Sequence, residues 1–382
     1  MLIDTATVVV LGLSATAKYV VREANQLGAI CWGLDTKKGA TYYSNCLHHA
    51  QVVTEQELLD LLETTFRAKN EPIFVCPTSD EWVDFIARTP IFKEDWLHVD
   101  PPYLDGSYRE VADKNRLQQL AMELNLAYPK SITFIVGESV PDLTDLQFPL
   151  FCKPSDRVGL ADVMQGKKGW ILSKATDLQA VIAIQKLQGV ALMVQEIIEG
   201  AEQNIKVLAA VGNGKGEMVT SPWTGTKVRQ YPPQFGSGSL VVQSEETQLE
   251  RIAKIIIQHT QYQGFLALEA KYCDRRKDLF IIEINTRPSL WFSATTASHA
   301  KLVGYWMNTF DQIALSTVFP KSDTKVIWRY GYKDIYARLK TGKSNFSFPQ
   351  KSVKIYAVWD KNDLKPFFYD LWNGLSKLFK RF

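Results

Sequence analysis

The sequence has few of the features that would place it in several common classes of protein. Five cysteines occur among its 382 residues, and their odd number, without a C-x-x-C pair, argues against a disulfide framework. No apolar run approaches the ~20 residues of a membrane-spanning helix, and Asp4 beside a short apolar run does not resemble a signal peptide. The net charge of +3 is too small to indicate nucleic-acid binding. We therefore expect a cytoplasmic protein with no nucleic-acid partner.

An alternation of apolar strands and amphipathic helices begins near the N-terminus. A buried strand over Thr7–Leu11 is followed by a glycine turn, a helix and a second strand, which together form a βαβ unit. The alternation predicts a small doubly wound, Rossmann-like domain over residues 1–100. The turn Gly12-Leu13-Ser14 lacks the G-x-G-x-x-G pattern, so a dinucleotide site has little support. Ligands of such sheets lie at the carboxyl ends of the strands, where the candidates are Ser14, Thr78 and Asp80.

The segment from Gly264 to Ser293 is the most informative about function. Two apolar runs flank a polar turn, Asp274–Asp278, which predicts a β-hairpin. Side chains two apart on a strand share a face, so the hairpin gathers four polar groups, Glu269, Glu283, Asn285 and Arg287. Carboxylate and amide oxygens suit Mg²⁺, and an arginine suits a carboxylate or phosphate. The alternative is a hairpin with solvated acids, but three polar residues at period two after a buried run favour a site.

The E-x-N-x-R pattern of this strand, in the run EINTRPS, resembles the metal-binding strand of the ATP-grasp ligases. That superfamily includes biotin carboxylase, D-alanine–D-alanine ligase and many carboxylate–amine ligases. The resemblance implies an α/β (α+β) fold in which the Rossmann-like domain precedes an ATP-grasp domain of two α+β subdomains. It places the ATP-grasp domain at residues 101–320, with a mobile subdomain at about 146–200. A C-terminal α/β extension, 321–382, ends in an amphipathic helix.

The resemblance also assigns residues that bind the nucleotide. Lys114, which opens a helix capped by Asp113, and Lys153, at the end of a buried strand, match the lysines that contact phosphates. The run from Gln195 to Glu202 matches the adenine hinge: Gln195 would approach the exocyclic amine, Glu196 and Ile198 would offer backbone groups to the adenine edge, and Glu202 would bind the ribose hydroxyls. The alternatives are a solvated lysine at Lys114 and a plain strand and turn at the hinge.

Two further cations, Lys227 and Arg229, are two apart and are expected to share one face of a strand. In related ligases this region supplies a lysine to the phosphates and donors to the acyl group, so the resemblance makes Lys227 and Arg229 catalytic candidates together with Arg287. The alternative is a basic edge strand protected by lysine. A mobile loop over residues 154–168 is expected to cover the phosphates, although it has no run of glycines.

Three features near the C-terminal side have a structural and a functional interpretation. Trp291 and Phe292 either belong to the core, which we favour, or wall an acceptor pocket. His299 is either structural, which we favour, or a catalytic base. The final helix has an aromatic stripe flanked by basic residues, which suits docking on the body or on a partner, or an interfacial membrane contact. Docking is the favoured interpretation.

Together with these patterns, the resemblance implies an ATP-dependent carboxylate–amine ligase that uses Mg²⁺ or Mn²⁺. The resemblance implies that Glu269, Glu283 and Asn285 hold the metal, that Lys114, Lys153 and Lys227 balance phosphate charge, and that Arg287 orients the acceptor carboxylate. Small-molecule carboxylate and amine substrates and a homodimer are expected. Three alternatives stay open: a carboxylase, a thioester-forming ligase, and a non-catalytic ATP-binding regulator.

Overall fold

The computed structural model describes residues 6–69, 71–138, 140–155, 160–164, 168–298, 300–310, 324–342 and 346–379. The predicted α/β architecture is confirmed, because the chain forms three sheets with helices packed against them. His299 and residues 156–159 and 165–167 of the predicted loop 154–168 lie outside the described residues. Within the described ranges, no helix is long and apolar enough to cross a membrane.

The first sheet is parallel, in the order β3-β2-β1-β4-β5. Its central strand has the sequence TVVVL and is buried along its whole length, as expected for a strand covered on both faces. The predicted βαβ unit and the strand Thr7–Leu11 are confirmed. The elements are β1 (Thr7–Leu11), α1 (Ala17–Gln26), β2 (Ile30–Asp35), β3 (His49–Val52), α2 (Glu55–Leu61), β4 (Ile73–Pro77), α3 (Asp80–Arg88) and β5 (Leu97–His98).

Three short helices connect this sheet to the rest of the chain. They are α4 (Pro101–Asp105), α5 (Arg109–Ala112) and α6 (Lys114–Glu123). The predicted cap of the third is confirmed, since the Asp113 carboxylate accepts hydrogen bonds from the backbone amides of Asn115 and Arg116 at 2.9 and 3.0 Å.

The second sheet is antiparallel and has four strands in the order β6-β9-β7-β8. Its first strand precedes residue 146, where the mobile subdomain was expected to begin. The elements are β6 (Ser131–Ile135), β7 (Leu150–Pro154), α7 (Ala161–Met164), β8 (Trp170–Leu172), α8 (Thr176–Ile182) and β9 (Ala191–Glu196).

The third sheet has seven strands in the order β14-β13-β10-β11-β12-β15-β16 and contains the predicted hairpin. It is antiparallel except for its last pair of strands. The elements are β10 (Ile205–Asn213), β11 (Trp223–Tyr231), β12 (Ser237–Gln243), α9 (Thr247–Thr260), β13 (Gln263–Cys273), β14 (Asp278–Asn285), α10 (Ser293–Ala297), α11 (Leu302–Asn308), β15 (Lys325–Arg329), α12 (Gly331–Thr341), β16 (Ser352–Tyr356) and α13 (Lys365–Phe379).

Alternation along the strands gives this large sheet two different faces. On one face Leu208 and Leu266 pack against the apolar stripe of α9. On the other face Val207 and Phe265 join a core that includes Phe292 and residues of α1 and α11. Trp291 and Phe292 are both buried, so the favoured interpretation of these aromatics as core residues is confirmed.

The C-terminal helix docks on the body of the protein, as favoured from its sequence. The Tyr369 ring packs on Tyr43, and its hydroxyl donates to the Lys38 carbonyl at 2.8 Å. Just before the helix, the buried carboxylate of Asp363 accepts from the Ser44 hydroxyl at 2.7 Å and lies 3.8 Å from the Lys18 ammonium. An outer apolar stripe of the helix, formed by Phe368, Trp372 and Leu375, stays exposed. A contact of this stripe with a membrane or a partner stays a prediction.

A buried acid lies where the first and third sheets meet. The Asp100 carboxylate accepts from the indole N–H of Trp306 at 2.7 Å, and it lies against Gly264, whose φ of +111° suits a glycine. A side chain at Gly264 would come within 2.6 Å of this carboxylate. Burial raises the pKa of Asp100 to about 7, although the bond from Trp306 opposes this shift.

We predict that the contribution of Asp100 to the free energy of unfolding falls as pH rises from about 4 to about 7. Because the pKa of Asp100 is raised to about 7 in the folded state, the folded protein holds a proton that the unfolded chain has released over this range. Asp100→Asn keeps an acceptor for Trp306 without the charge. Urea unfolding should show the variant gaining stability over the wild type at pH 8 and much less at pH 5.

The matched control is Asp95→Asn, because Asp95 is exposed. It should change the free energy of unfolding equally little at both pH values. A difference between Asp100→Asn and wild type that does not depend on pH would contradict the prediction.

Candidate active site

The hairpin β13–β14 places its polar residues on one face of the seven-stranded sheet. Glu269 and Glu283 are direct cross-strand partners, and Asn285 pairs with Ala267 two residues further along. The Asn285 amide N–H donates to a Glu283 carboxylate oxygen at 3.4 Å. The predicted gathering of two acids and an amide at this end of the hairpin is therefore what the structure shows.

Positive charge surrounds this pair of acids. The Lys227 ammonium lies 2.5 Å from the Glu269 carboxylate. Burial by itself raises the pKa of Glu283, but the charges of Lys168, Lys227 and Lys153 outweigh it and hold that pKa at about 2. Burial raises the pKa of Glu269, although Lys227 opposes the shift. Glu283 is therefore the firmly ionised member of the pair.

The donor set of this face fits a hard divalent cation. It consists of two carboxylates and one amide oxygen, and the Lys227 ammonium lies against the Glu269 carboxylate. Among the described residues there is no group of three or more His, Cys, Asp or Glu that could hold a metal ion. A metal here would need further oxygens, such as those of phosphates, which is the usual situation for protein-bound Mg²⁺.

The expectation that Lys227 and Arg229 share a face is wrong. A β-bulge lies between them, so Lys227 pairs with Val241 while Arg229 pairs with the adjacent Leu240. Neighbouring residues of β12 face opposite sides of the sheet, and the two cations therefore do the same. Arg229 is buried and donates to both carboxylate oxygens of Asp334 on α12, at 2.7 and 3.0 Å. Lys227 faces the acids, whereas Arg229 belongs to a structural ion pair.

The four-stranded sheet contributes the next group of predicted residues. Lys153 is buried at the end of β7, and its ammonium donates to the Gln195 side-chain oxygen on β9 at 2.9 Å. The charge of Lys153 also lowers the pKa of Glu283, so the end of β7 lies near the acids of the large sheet. The Gln195 amide nitrogen is buried and has no hydrogen-bond partner among the described residues. The Gln195 side-chain oxygen has two lone pairs and can accept a second hydrogen bond beside that from Lys153, so its contact with an exocyclic amine stays a prediction.

The end of β9 has the form of a strand edge followed by a turn. The side chain of Glu196 pairs with Arg276 of the hairpin turn at 3.1 Å, so its backbone is held beside the large sheet. Ile198 is buried against Cys273 and Phe280. These contacts position the segment predicted to bind the adenine edge between the two sheets.

Two other predicted residues lie at the margins of the cleft between the four-stranded and seven-stranded sheets. The Glu202 carboxylate accepts from the Gln230 side chain at 3.3 Å and from the Gln234 backbone at 3.0 Å. Lys114, at the start of α6, donates to the Ser155 carbonyl at 3.1 Å, which places its ammonium where the segment after β7 begins. The rings of Phe151 and Phe235 stack with centroids 4.2 Å apart and connect the two sheets.

Arg287 lies at the open end of the acid face and reaches the first sheet. Its guanidinium donates to both carboxylate oxygens of Asp80 at the start of α3, at 2.7 and 2.9 Å. Of the three candidates at the strand ends of the first sheet, Asp80 is the one that contacts a predicted site residue. Thr78 instead donates to backbone carbonyls of Leu11 and Gly12, and the Ser14 hydroxyl accepts from the Thr16 backbone amide.

Several residues of the site were missed in the sequence. Tyr103 and Tyr262 both donate their hydroxyls to the Thr286 carbonyl and so fix the backbone beside Arg287. Tyr128 lies close enough to Glu283 for that charge to contribute to its pKa, which burial mainly raises to about 12. A lone tyrosine far away in the chain has no pattern that marks it as part of a site.

Comparison with known proteins supports the fold. The model resembles biotin carboxylase from Campylobacter jejuni, with a TM-score of 0.62, 12% identity and coverage of 85% of this chain and 75% of that one. It also resembles N5-carboxyaminoimidazole ribonucleotide synthetase from Thermus thermophilus (TM-score 0.60, 16% identity, coverage 83% and 81%). An L-amino acid ligase from Bacillus licheniformis matches with a TM-score of 0.54 and 14% identity over 78% of this chain and 70% of that chain.

The chain has the ATP-grasp fold. In sequence, it is 24% identical over 243 residues to D-aspartate ligase from Enterococcus faecium, a match that covers 61% of this chain and 57% of the ligase. The chain thus matches little more than half the length of that ligase. No family model matches the sequence.

We predict that Arg229 stabilises the fold through Asp334. Asp334→Ala leaves a buried guanidinium without its bidentate partner, which should lower the free energy of unfolding by about 3–5 kcal/mol. Chemical denaturation measures this loss.

Glu245→Gln serves as control, because it breaks the exposed ion pair between Glu245 and Lys325. The control should cost less than about 1 kcal/mol. Wild-type stability in Asp334→Ala would contradict the structural role and return Arg229 to the catalytic candidates.

Proposed function

We propose that the protein is an ATP-dependent carboxylate–amine ligase, which activates a carboxylate as an acyl phosphate and forms an amide bond with release of ADP and phosphate. The observation that carries the proposal is the acid face of the hairpin. Glu269, Glu283 and Asn285 share this face with Lys227, and Arg287 extends it towards the first sheet. The relation to D-aspartate ligase and the fold shared with L-amino acid ligase are consistent with it.

The cleft has the groups that a magnesium nucleotide requires. Glu269, Glu283 and Asn285 would hold Mg²⁺ or Mn²⁺, which when bound would neutralise charge on the β- and γ-phosphates. Lys153 and Lys227 lie beside this face. Lys114 of α6 contacts Ser155, where the segment after β7 begins. The hinge from Gln195 to Ile198 would take the base, and Glu202 would take the ribose. Among the similar structures, that of the Hydrogenobacter thermophilus 2-oxoglutarate carboxylase contains MgADP and bicarbonate.

The chemistry needs no covalent nucleophile from the protein. A carboxylate is a poor electrophile, and transfer of the γ-phosphoryl group to it depends mainly on positioning and charge neutralisation. Arg287 would orient the carboxylate beside the acids and stabilise the oxyanion that forms when the amine attacks. Lys227 would balance the charge of the transferred phosphoryl group. The segment after β7 would keep water away from the acyl phosphate.

The presence of the whole acid face favours a ligase over a regulator that only binds ATP. A regulator needs the hinge but does not need two carboxylates opposite each other on paired strands. Such a pair costs free energy, because like charges repel. Here the structure keeps Glu269 opposite Glu283 and surrounds them with lysines. The identities of the carboxylate and amine, and assembly as a homodimer, stay predictions.

The central test is Glu283→Gln. The change removes the ionised member of the acid pair while preserving its size. We expect turnover to fall by about 100-fold or more, because charge stabilisation of several kcal/mol is lost. Binding of ADP without metal, measured by calorimetry, should persist. ADP release, assayed with pairs of amino acids and small carboxylates, measures turnover.

The matched control is Glu123→Gln, at an exposed acid of α6. It should leave ADP release unchanged. Full turnover in Glu283→Gln would remove the metal assignment, and absence of ADP release by the wild type with every pair would remove the ligase proposal.

A further inference from the structure

The ion pair between Arg287 and Asp80 joins a half-buried cation to an exposed acid. The Arg287 side chain is 18% exposed, whereas that of Asp80 is 76% exposed. An exposed carboxylate is well solvated, so turning it away from its partner costs little free energy. In this pair Asp80 is therefore the partner that can move.

Arg287 is held in place from both sides of the backbone. The carbonyl of the preceding residue, Thr286, accepts hydrogen bonds from Tyr103 and Tyr262, and both tyrosines are buried. The following Pro288 restricts the chain further. The backbone that carries the guanidinium is thus fixed at the end of the acid face.

The Asp80 carboxylate does not cap its own helix, α3. Ser79 caps α3, since its hydroxyl accepts from the Trp82 backbone amide at 3.4 Å. Both oxygens of Asp80 contact Arg287. The two guanidinium N–H groups that donate to them are the donors that a substrate carboxylate would use in a bidentate contact.

A substrate carboxylate that takes these donors displaces Asp80 but leaves it close by. Two carboxylates would then lie side by side, which costs free energy unless a cation accompanies them. An ammonium group next to the substrate carboxylate supplies that cation. An Arg–Asp pair that opens in this way is the electrostatic complement of a zwitterion.

We propose that Asp80 is a specificity-determining residue that selects an amino acid over a plain carboxylic acid, by receiving the ammonium group while Arg287 receives the carboxylate. The proposal rests on the proposed function, in which Arg287 binds the substrate carboxylate. It adds a residue of the first sheet, 207 positions away from Arg287 in the chain, to the acceptor site.

The test compares binding of amino acids with binding of their deaminated counterparts. The full chain, with MgADP present, is titrated by calorimetry with each proteinogenic amino acid in D and L form and with the matching acid, for example aspartate with succinate and alanine with propionate. For at least one pair we expect the amino acid to bind about tenfold or more tightly than its counterpart. Asp80→Asn should reduce that ratio to about twofold or less, with unchanged affinity for MgADP.

Glu81→Gln is the matched control, because Glu81 is the next acid of the same helix turn and is also exposed. It should keep the wild-type ratio. The proposal is overturned if no amino acid binds, if the deaminated acids bind as well as the amino acids, or if Asp80→Asn leaves the ratio unchanged.

The result is independent of catalysis, because it is read from binding. Failure of the ligase function would appear as absence of ADP release by the wild type, even where amino acids bind selectively. Failure of the role of Asp80 would appear as a preference for the amino acid that does not respond to Asp80→Asn, even where the wild type releases ADP.

Discussion

The structure depends on the repulsion between two carboxylates that lie opposite each other on neighbouring strands. Glu269 and Glu283 are cross-strand partners, an arrangement that destabilises a sheet unless cations offset it. Three lysines provide the positive charge. Lys227 belongs to the same sheet, Lys153 lies on β7, and Lys168 lies just before β8. The need to balance these acids explains why cations from separate parts of the chain converge at one end of the hairpin.

The same constraint gives the cleft its polarity. Acids line the seven-stranded sheet and a buried lysine lines the four-stranded sheet, so the attraction between them favours facing sheets. The stacked rings of Phe151 and Phe235 add an apolar contact across the cleft. This distribution is consistent with the proposed binding of a magnesium nucleotide, which carries both signs of charge and an aromatic base. The pairing of Arg287 with Asp80 extends the cleft to the edge of the first sheet.

Local patterns were enough to predict the elements that carry the site. The apolar runs and the turn gave the hairpin, and the period of two gave the common face of Glu283 and Asn285, because alternation is intrinsic to a strand. The same rule failed for Lys227 and Arg229. A bulge inserts one residue between them and reverses the face of Arg229, and no sequence rule marks a bulge made by ordinary residues.

By itself the sequence determined the βαβ start, the strands and turn of the hairpin, the Asp113 cap and the types of ligand on the acid face, because each depends on neighbours within a few residues. Only the tertiary structure decided the partners of the charged groups. Arg229 lies 105 positions from Asp334, and Arg287 lies 207 positions from Asp80. Ion pairs of this kind form between elements that the sheets bring together, so they follow from packing and register rather than from local pattern.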